Sequence, residues 1–207
     1  GGGFLKPTTS FDKKEAPSIF PIIEEAGYTI AKGVDDFKAK AAQADKMVLI
    51  QKDDANPSCL PYSIDRKDGD LTLAEITESA ISFLTKGKNK GFFLMVEGSQ
   101  LDDYGHFNDI DLLMQETHDF DRTIGRIFEW AAQDGETLVV VTADHETGGL
   151  TLVDGDLNEG RIVCKFSTGG HSGVMVPVYA FGPGAENFTG IFENTDIFWK
   201  IKKLLNL

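Results

Sequence analysis

Apolar residues fall along this chain into short unbroken runs that alternate with stretches of helical spacing. Runs of a few apolar residues closed off by glycine read as buried strands. Apolar residues returning every three to four positions read as one face of a helix. On that basis residues 18–26 are predicted helical, stopping at Gly27, and 28–31 form a short strand. A weak helix over 35–42 and a strand over Lys46–Ile50 follow, an order that predicts a parallel strand pair. Residues 53–70 read as loop, rich in Asp, Asn, Pro and Ser. Thr72 opens the next helix: Thr72 with Glu75 has the capping-box pattern, and Leu71 with Ile76 can staple it. Leu73, Ile76, Ala80, Phe83 and Leu84 share its predicted apolar face, and Gly87 ends it.

The next run, Phe92-Phe93-Leu94-Met95-Val96, sits between Gly91 and Gly98 and reads as a buried strand. It leads directly into Glu97, Asp102 and His106. Leu112, Leu113, Phe120, Ile124, Ile127, Phe128 and Ala131 then repeat at helical spacing as far as Gly135. A buried strand over 137–142 delivers Asp144 and His145 at its end. Runs at 150–153 and 161–166 flank a turn rich in Asp, Gly and Asn. His171 follows, then a strand over 176–181 and an amphipathic helix over 194–205. With no repeat, linker or low-complexity segment, residues 1–207 read as one α/β domain.

Composition narrows the function classes. The net charge of −13 repels nucleic-acid backbones, and no basic stripe offsets it. Only four arginines occur, Arg66, Arg122, Arg126 and Arg161, so an anionic substrate would need positive charge from bound metal. No apolar run approaches the ~20 residues a membrane span requires. The opening Gly1-Gly2-Gly3-Phe4 has no basic and apolar leader, and a glycine cluster with nothing before it reads as a start partway through a larger protein. Cys59 and Cys164 lie far apart and near no candidate ligand, which argues against a thiolate zinc site; two buried thiols are the expected reading, with an unsupported disulfide as the alternative.

The chemistry concentrates at strand ends, where open α/β sheets place their ligand sites. Asp102 and His106 are four residues apart, so one helical turn can aim both at a single point. Asp144 and His145 are adjacent and would oppose each other on a strand, but a turning backbone can bring both inward. His171 follows Gly169-Gly170 and precedes Ser172-Gly173, where the backbone can approach an ion closely. Glu97 adds an oxygen donor suited to a harder ion such as magnesium. Three carboxylates and three imidazoles exceed one tetrahedral zinc site and point to at least two ions. Two ions about 4 Å apart are the arrangement that steadies attacking and leaving oxygens in phosphoryl transfer.

Three runs carry a resemblance. Val-Glu-Gly-Ser-Gln-Leu-Asp-x-x-Gly-His at 96–106, Thr-Ala-Asp-His-Glu-Thr-Gly-Gly at 142–149, and His-Ser-Gly at 171–173 with Val-Pro-Val-Tyr-Ala-Phe-Gly-Pro-Gly-Ala at 176–185 resemble alkaline phosphatases, in the family's order. The resemblance implies a three-layer α/β/α sandwich, present in part. It implies that Asp102, His106 and His171 hold a first zinc, that Asp144 and His145 belong to a second zinc, and that Glu97 belongs to a magnesium site. It also implies a phosphate monoester substrate, a place outside the cytoplasm, and a mechanism in which a serine is transiently phosphorylated.

That serine lies, in the family, in an Asp-Ser-Ala/Gly motif of the N-terminal half, and no such motif occurs here; Glu78-Ser79-Ala80 comes nearest but falls inside a predicted helix. The family's bridging Asp, its magnesium Thr and its phosphate-gripping Arg likewise have no matching position. The chain therefore resembles the C-terminal half of an alkaline phosphatase, with one zinc site complete, a second partial, a partial magnesium site and no catalytic nucleophile. Such a half is expected to be inactive alone and to associate, as a homodimer for example, through exposed strand edges. Asp103 beside Asp102 is a further departure, and His118 matches no motif and reads as a helix-surface residue. The competing readings are a non-catalytic zinc-binding module and another metal-dependent phosphotransferase or phosphodiesterase of the wider superfamily.

Overall fold

The chain divides into two units, Gly1–Ser99 and Gln100–Leu207. The computed structural model describes residues 8–9, 15–16, 18–52, 59–87 and 91–207. The opening glycines and the loop prediction over 53–58 lie outside the described residues.

In the first unit, β1 (Thr8–Thr9) and β2 (Glu15–Ala16) form a short antiparallel pair. Helix α1 (Phe20–Glu25) starts with Pro21 in its first turn, where a missing N–H costs nothing. Strand β3 (Tyr28–Lys32), helix α2 (Val34–Ala41) and strand β4 (Lys46–Ile50) follow, and β3 pairs parallel with β4 from Tyr28↔Lys46 to Lys32↔Ile50. The parallel unit predicted from the alternation is thus present. Lys40 fastens the helix to the strand: its ammonium donates to the Ile30 carbonyl at 2.9 Å and to Asp36 at 2.8 Å. Asp36 in turn accepts from the Lys32 N–H at 2.9 Å. Ala31, Phe37, Ala44 and Ile50 are buried, with the Phe37 and Phe83 rings edge to face at 6.3 Å.

After a single 3-10 turn at Ser63–Asp65, helix α3 (Leu73–Leu84) begins at Thr72 with both halves of the predicted capping box made. Its deepest residues are Thr77, Ser79 and Ile81, whereas Leu73, Ile76, Ala80, Phe83 and Leu84 are half-buried. Thr77 can go under because its hydroxyl donates to the Leu73 carbonyl at 2.7 Å, leaving no unpaired polar atom. One prediction fails here. Residues 91–98 form neither helix nor strand. Exposure alternates along them as in extended chain, with Phe93 and Met95 outward, but a strand is a paired structure and this run joins no described ladder.

The second unit carries α4 (Gln100–Phe107) and α5 (Ile110–Asp134). The Asp109 carboxylate caps α5 by accepting from the Leu112 N–H at 3.0 Å, and Gly135 ends it in left-handed backbone, as its position predicted. Strand β5 (Val139–Thr142) leads to the two-residue β6 (Glu146–Thr147), then to the hairpin of β7 (Thr151–Asp156) and β8 (Arg161–Lys165). The two-residue β9 (His171–Ser172) pairs antiparallel with β6, β10 (Val178–Phe181) pairs antiparallel with β5, and α6 (Asp196–Leu204) closes the chain. No helix among the described residues is long and apolar enough to cross a membrane.

Candidate metal centre

Helix α4 places Asp102 and His106 one turn apart on the same face. The loop between β8 and β9 brings His171 to them from far along the sequence. Donor atoms of Asp102, His106 and His171 all lie within 4.8 Å of one another. The two imidazole Nε2 atoms are 3.2 Å apart, His106 Nε2 is 3.3 Å from Asp102 Oδ2, and His171 Nε2 is 3.5 Å from Asp102 Oδ1. Zinc bonds of ~2.0–2.1 Å in a tetrahedron put neighbouring donors about 3.3–3.4 Å apart; the two imidazoles are close to that separation, and Asp102 approaches each of them through a different carboxylate oxygen. As bare ion pairs the contacts would contribute little. The three side chains keep 34% to 47% of their surface exposed, and exposed pairs are worth about 0–1 kcal/mol.

The proton positions fit the same use. His106 Nδ1 is 2.8 Å from the Gly169 carbonyl, which only accepts, so Nδ1 donates and Nε2 presents a lone pair to the centre. Thr147 donates its hydroxyl proton to Asp102 Oδ1. Burial pushes the Asp102 carboxyl up, but the Thr147 hydroxyl and the imidazoles of His106, His171 and His145 outweigh it, and the group sits below its ordinary value. An ionised carboxylate and a lone pair at Nε2 of His106, with the second imidazole beside them, suit a borderline divalent ion. Asp102, His106 and His171 would hold such an ion, which would supply a Lewis acid there.

His145 packs against this group, its ring stacked on His171 with centroids 3.6 Å apart. Asp144 differs. Its side chain is 89% exposed, and its carboxylate lies beside its neighbour, Oδ2 3.3 Å from His145 Nε2. Glu97 lies in the other unit with its side chain exposed, and His118 is exposed on α5.

Two glycines make the convergence possible. Gly148 (φ +86°) lies so close to α4 that a Cβ would meet the Gly105 carbonyl at 2.7 Å, and Gly149 (φ +58°) would drive one into Ser167 Oγ at 1.9 Å. The Gly148 carbonyl accepts from the N–H groups of Ser167 and Thr168, and its own N–H donates to Gly170, which fixes the loop carrying the Gly169 carbonyl. The β6–β9 ladder then sets Thr147 opposite His171 and Glu146 opposite Ser172. Glu146 accepts from Ser172 Oγ, from the Leu150 N–H at 2.9 Å and from the Gly149 N–H at 3.0 Å. Sequence reasoning passed over Glu146, Thr147, Ser172 and the Gly169 carbonyl. For Thr147 a signal existed: it stands two positions beyond His145 in the same Asp-His-Glu-Thr run.

The alkaline phosphatase family model matches residues 34–163. Alkaline phosphatase 3 of Bacillus subtilis is 32% identical over an alignment that takes in 99% of this chain and 57% of that protein. The Escherichia coli alkaline phosphatase is 34% identical over 72% of this chain and 35% of its own length. Among solved structures, alkaline phosphatase from the Antarctic bacterium TAB5 superposes with a TM-score of 0.81 at 39% identity, over 100% of this chain and 59% of that one. The fold is accordingly the α/β sandwich of those structures, in part, and the chain spans a little over half the length of the first of these curated relatives, 57%.

Proposed function

The chain belongs to the alkaline phosphatase family, and we propose on that premise that it is the C-terminal portion of a single metal-dependent phosphomonoesterase domain. The observation that carries this reading is the convergence of donor atoms from Asp102, His106 and His171. In it, those three residues hold one zinc, Asp144 and His145 contribute to a second, and Glu97 contributes to a magnesium site. A bound divalent cation supplies Lewis-acid polarisation of a phosphoryl oxygen. The chain's own residues orient the donors: the Gly169 carbonyl keeps the His106 proton off Nε2, and Thr147 keeps Asp102 ionised.

No Asp-Ser sequence occurs in the 207 residues, and turnover needs a nucleophile as well as metal. This chain alone is therefore inactive and binds one zinc firmly, with the second held weakly. By family habit the whole protein acts on phosphate monoesters outside the cytoplasm, and association with a second copy is part of the same proposal. Metal analysis of the dialysed 207-residue chain tests it, with about one zinc per chain and no p-nitrophenyl phosphate hydrolysis expected. Hydrolysis at ordinary enzyme rates of about 1–1,000 s⁻¹ would contradict the inactive-half reading, and absence of zinc would contradict the metal centre.

A further inference from the structure

We propose that Thr147 is a positioning residue that joins the two donor groups through a single hydroxyl. The inference rests on the metal-centre reading above. Thr147 is not itself a donor in the converging set, yet it touches its neighbours in three ways. Its hydroxyl donates to Asp102 Oδ1 and lies 3.3 Å from His145 Nδ1, and its backbone pairs with His171.

A hydroxyl has one proton to give. Thr147 gives it to a carboxylate, which only accepts. The contact with His145 therefore runs the other way: Nδ1 carries the ring proton and donates it to Thr147 Oγ1. That leaves His145 Nε2 with its lone pair outward, 3.3 Å from Asp144 Oδ2, the other member of the donor pair. Because the His145 ring stacks on His171, fixing one ring also fixes the other. The seat of Thr147 is itself tight. Gly105 on α4 is so near that a Cβ there would lie 3.0 Å from both Cβ and Cγ2 of Thr147. The hydroxyl thus has a set direction. It couples the donor of the pair to the donor of the trio without contacting an ion.

The test uses the 207-residue chain with T147V and T147S. Valine keeps the branched shape beside Gly105 and removes the donor; serine keeps the hydroxyl and drops the methyl. Nitrogen NMR of the metal-free chain, at a pH where the imidazoles are neutral, reads which ring nitrogen of His145 bears the proton. The expected result is Nδ1 in the parent and in T147S, moving to Nε2 in T147V as the ring turns its donor to Asp144. Zinc affinity, read by chelator competition, should fall roughly 10–100-fold in T147V and recover most of that in T147S. A proton on His145 Nε2 in the parent chain overturns the proposal, as does a T147V chain with unchanged proton position and zinc affinity. If T147V does not fold, the His145 proton in the parent and T147S still decides. If the parent takes up no zinc, the metal-centre reading fails, and the nitrogen spectrum alone judges the hydroxyl link.

Discussion

The two donor groups of the second unit differ in how they are held. The trio of Asp102, His106 and His171 is braced from outside: a backbone carbonyl orients His106, a threonine hydroxyl holds Asp102, and a ladder pair seats His171. Of the pair, His145 shares that bracing, but Asp144 is 89% exposed and meets its neighbour. Supporting partners of a ligand are worth about 10–100-fold in metal affinity. A complete set of donors with such partners is a site in advance of the ion. A pair with one loose member becomes a site only when further donors reach it.

The contrast is tested most severely at His171. H171A removes one of three donors from the braced set, and zinc affinity should fall by more than about 100-fold in a competition titration, beyond the loss of a mere supporting partner. D144N should leave the first zinc within about threefold of the parent, well below that supporting-partner scale. Equal losses in the two variants would erase the distinction.

A smaller effect is expected at Gly149. G149A forces a Cβ onto Ser167 Oγ from left-handed backbone. Denaturant unfolding should show a loss of about 1–3 kcal/mol, the usual cost of such strain. Zinc binding should weaken with it, because the same turn holds the Gly169 carbonyl in place. An unchanged midpoint would mean that the close approach of the two loops is dispensable.

The smallest effect concerns Glu146, whose carboxyl is held below its ordinary value chiefly by the Ser172 hydroxyl, against burial, with help from the Leu150 and Gly149 N–H groups and His171. A carboxyl with a depressed folded value adds stability that is fully present above its unfolded value, near 4.5. That stability is lost as pH falls from there through the folded value. E146Q should therefore lower stability modestly at neutral pH and flatten the acid limb of the stability profile below about pH 5. A profile parallel to the parent's would show that the carboxylate does not tie β6 to Ser172.

Local order was readable from the chain because local causes produce it. The α3 capping box and the Gly135 stop of α5 each follow from residues within a few positions of one another, and the β3–α2–β4 unit and the β7–β8 hairpin join elements consecutive in the chain. The apolar run at 92–96 shows the limit: hydrophobicity marks a segment able to pair, but a partner decides whether it becomes a strand.

Donor types were likewise legible. Asp and His at strand ends and helical spacing named Asp102, His106, Asp144, His145 and His171 as candidates before any distance was known. Tertiary structure alone decided which of them meet, and it set the Gly169 carbonyl against His106 Nδ1. His106 and His171 are sixty-five residues apart, and their meeting depends on a two-residue ladder, the Gly148 crossing and one carbonyl. Residue type states what an atom can bind. Only packing sets the few tenths of an ångström that separate a cluster of polar groups from a site for an ion.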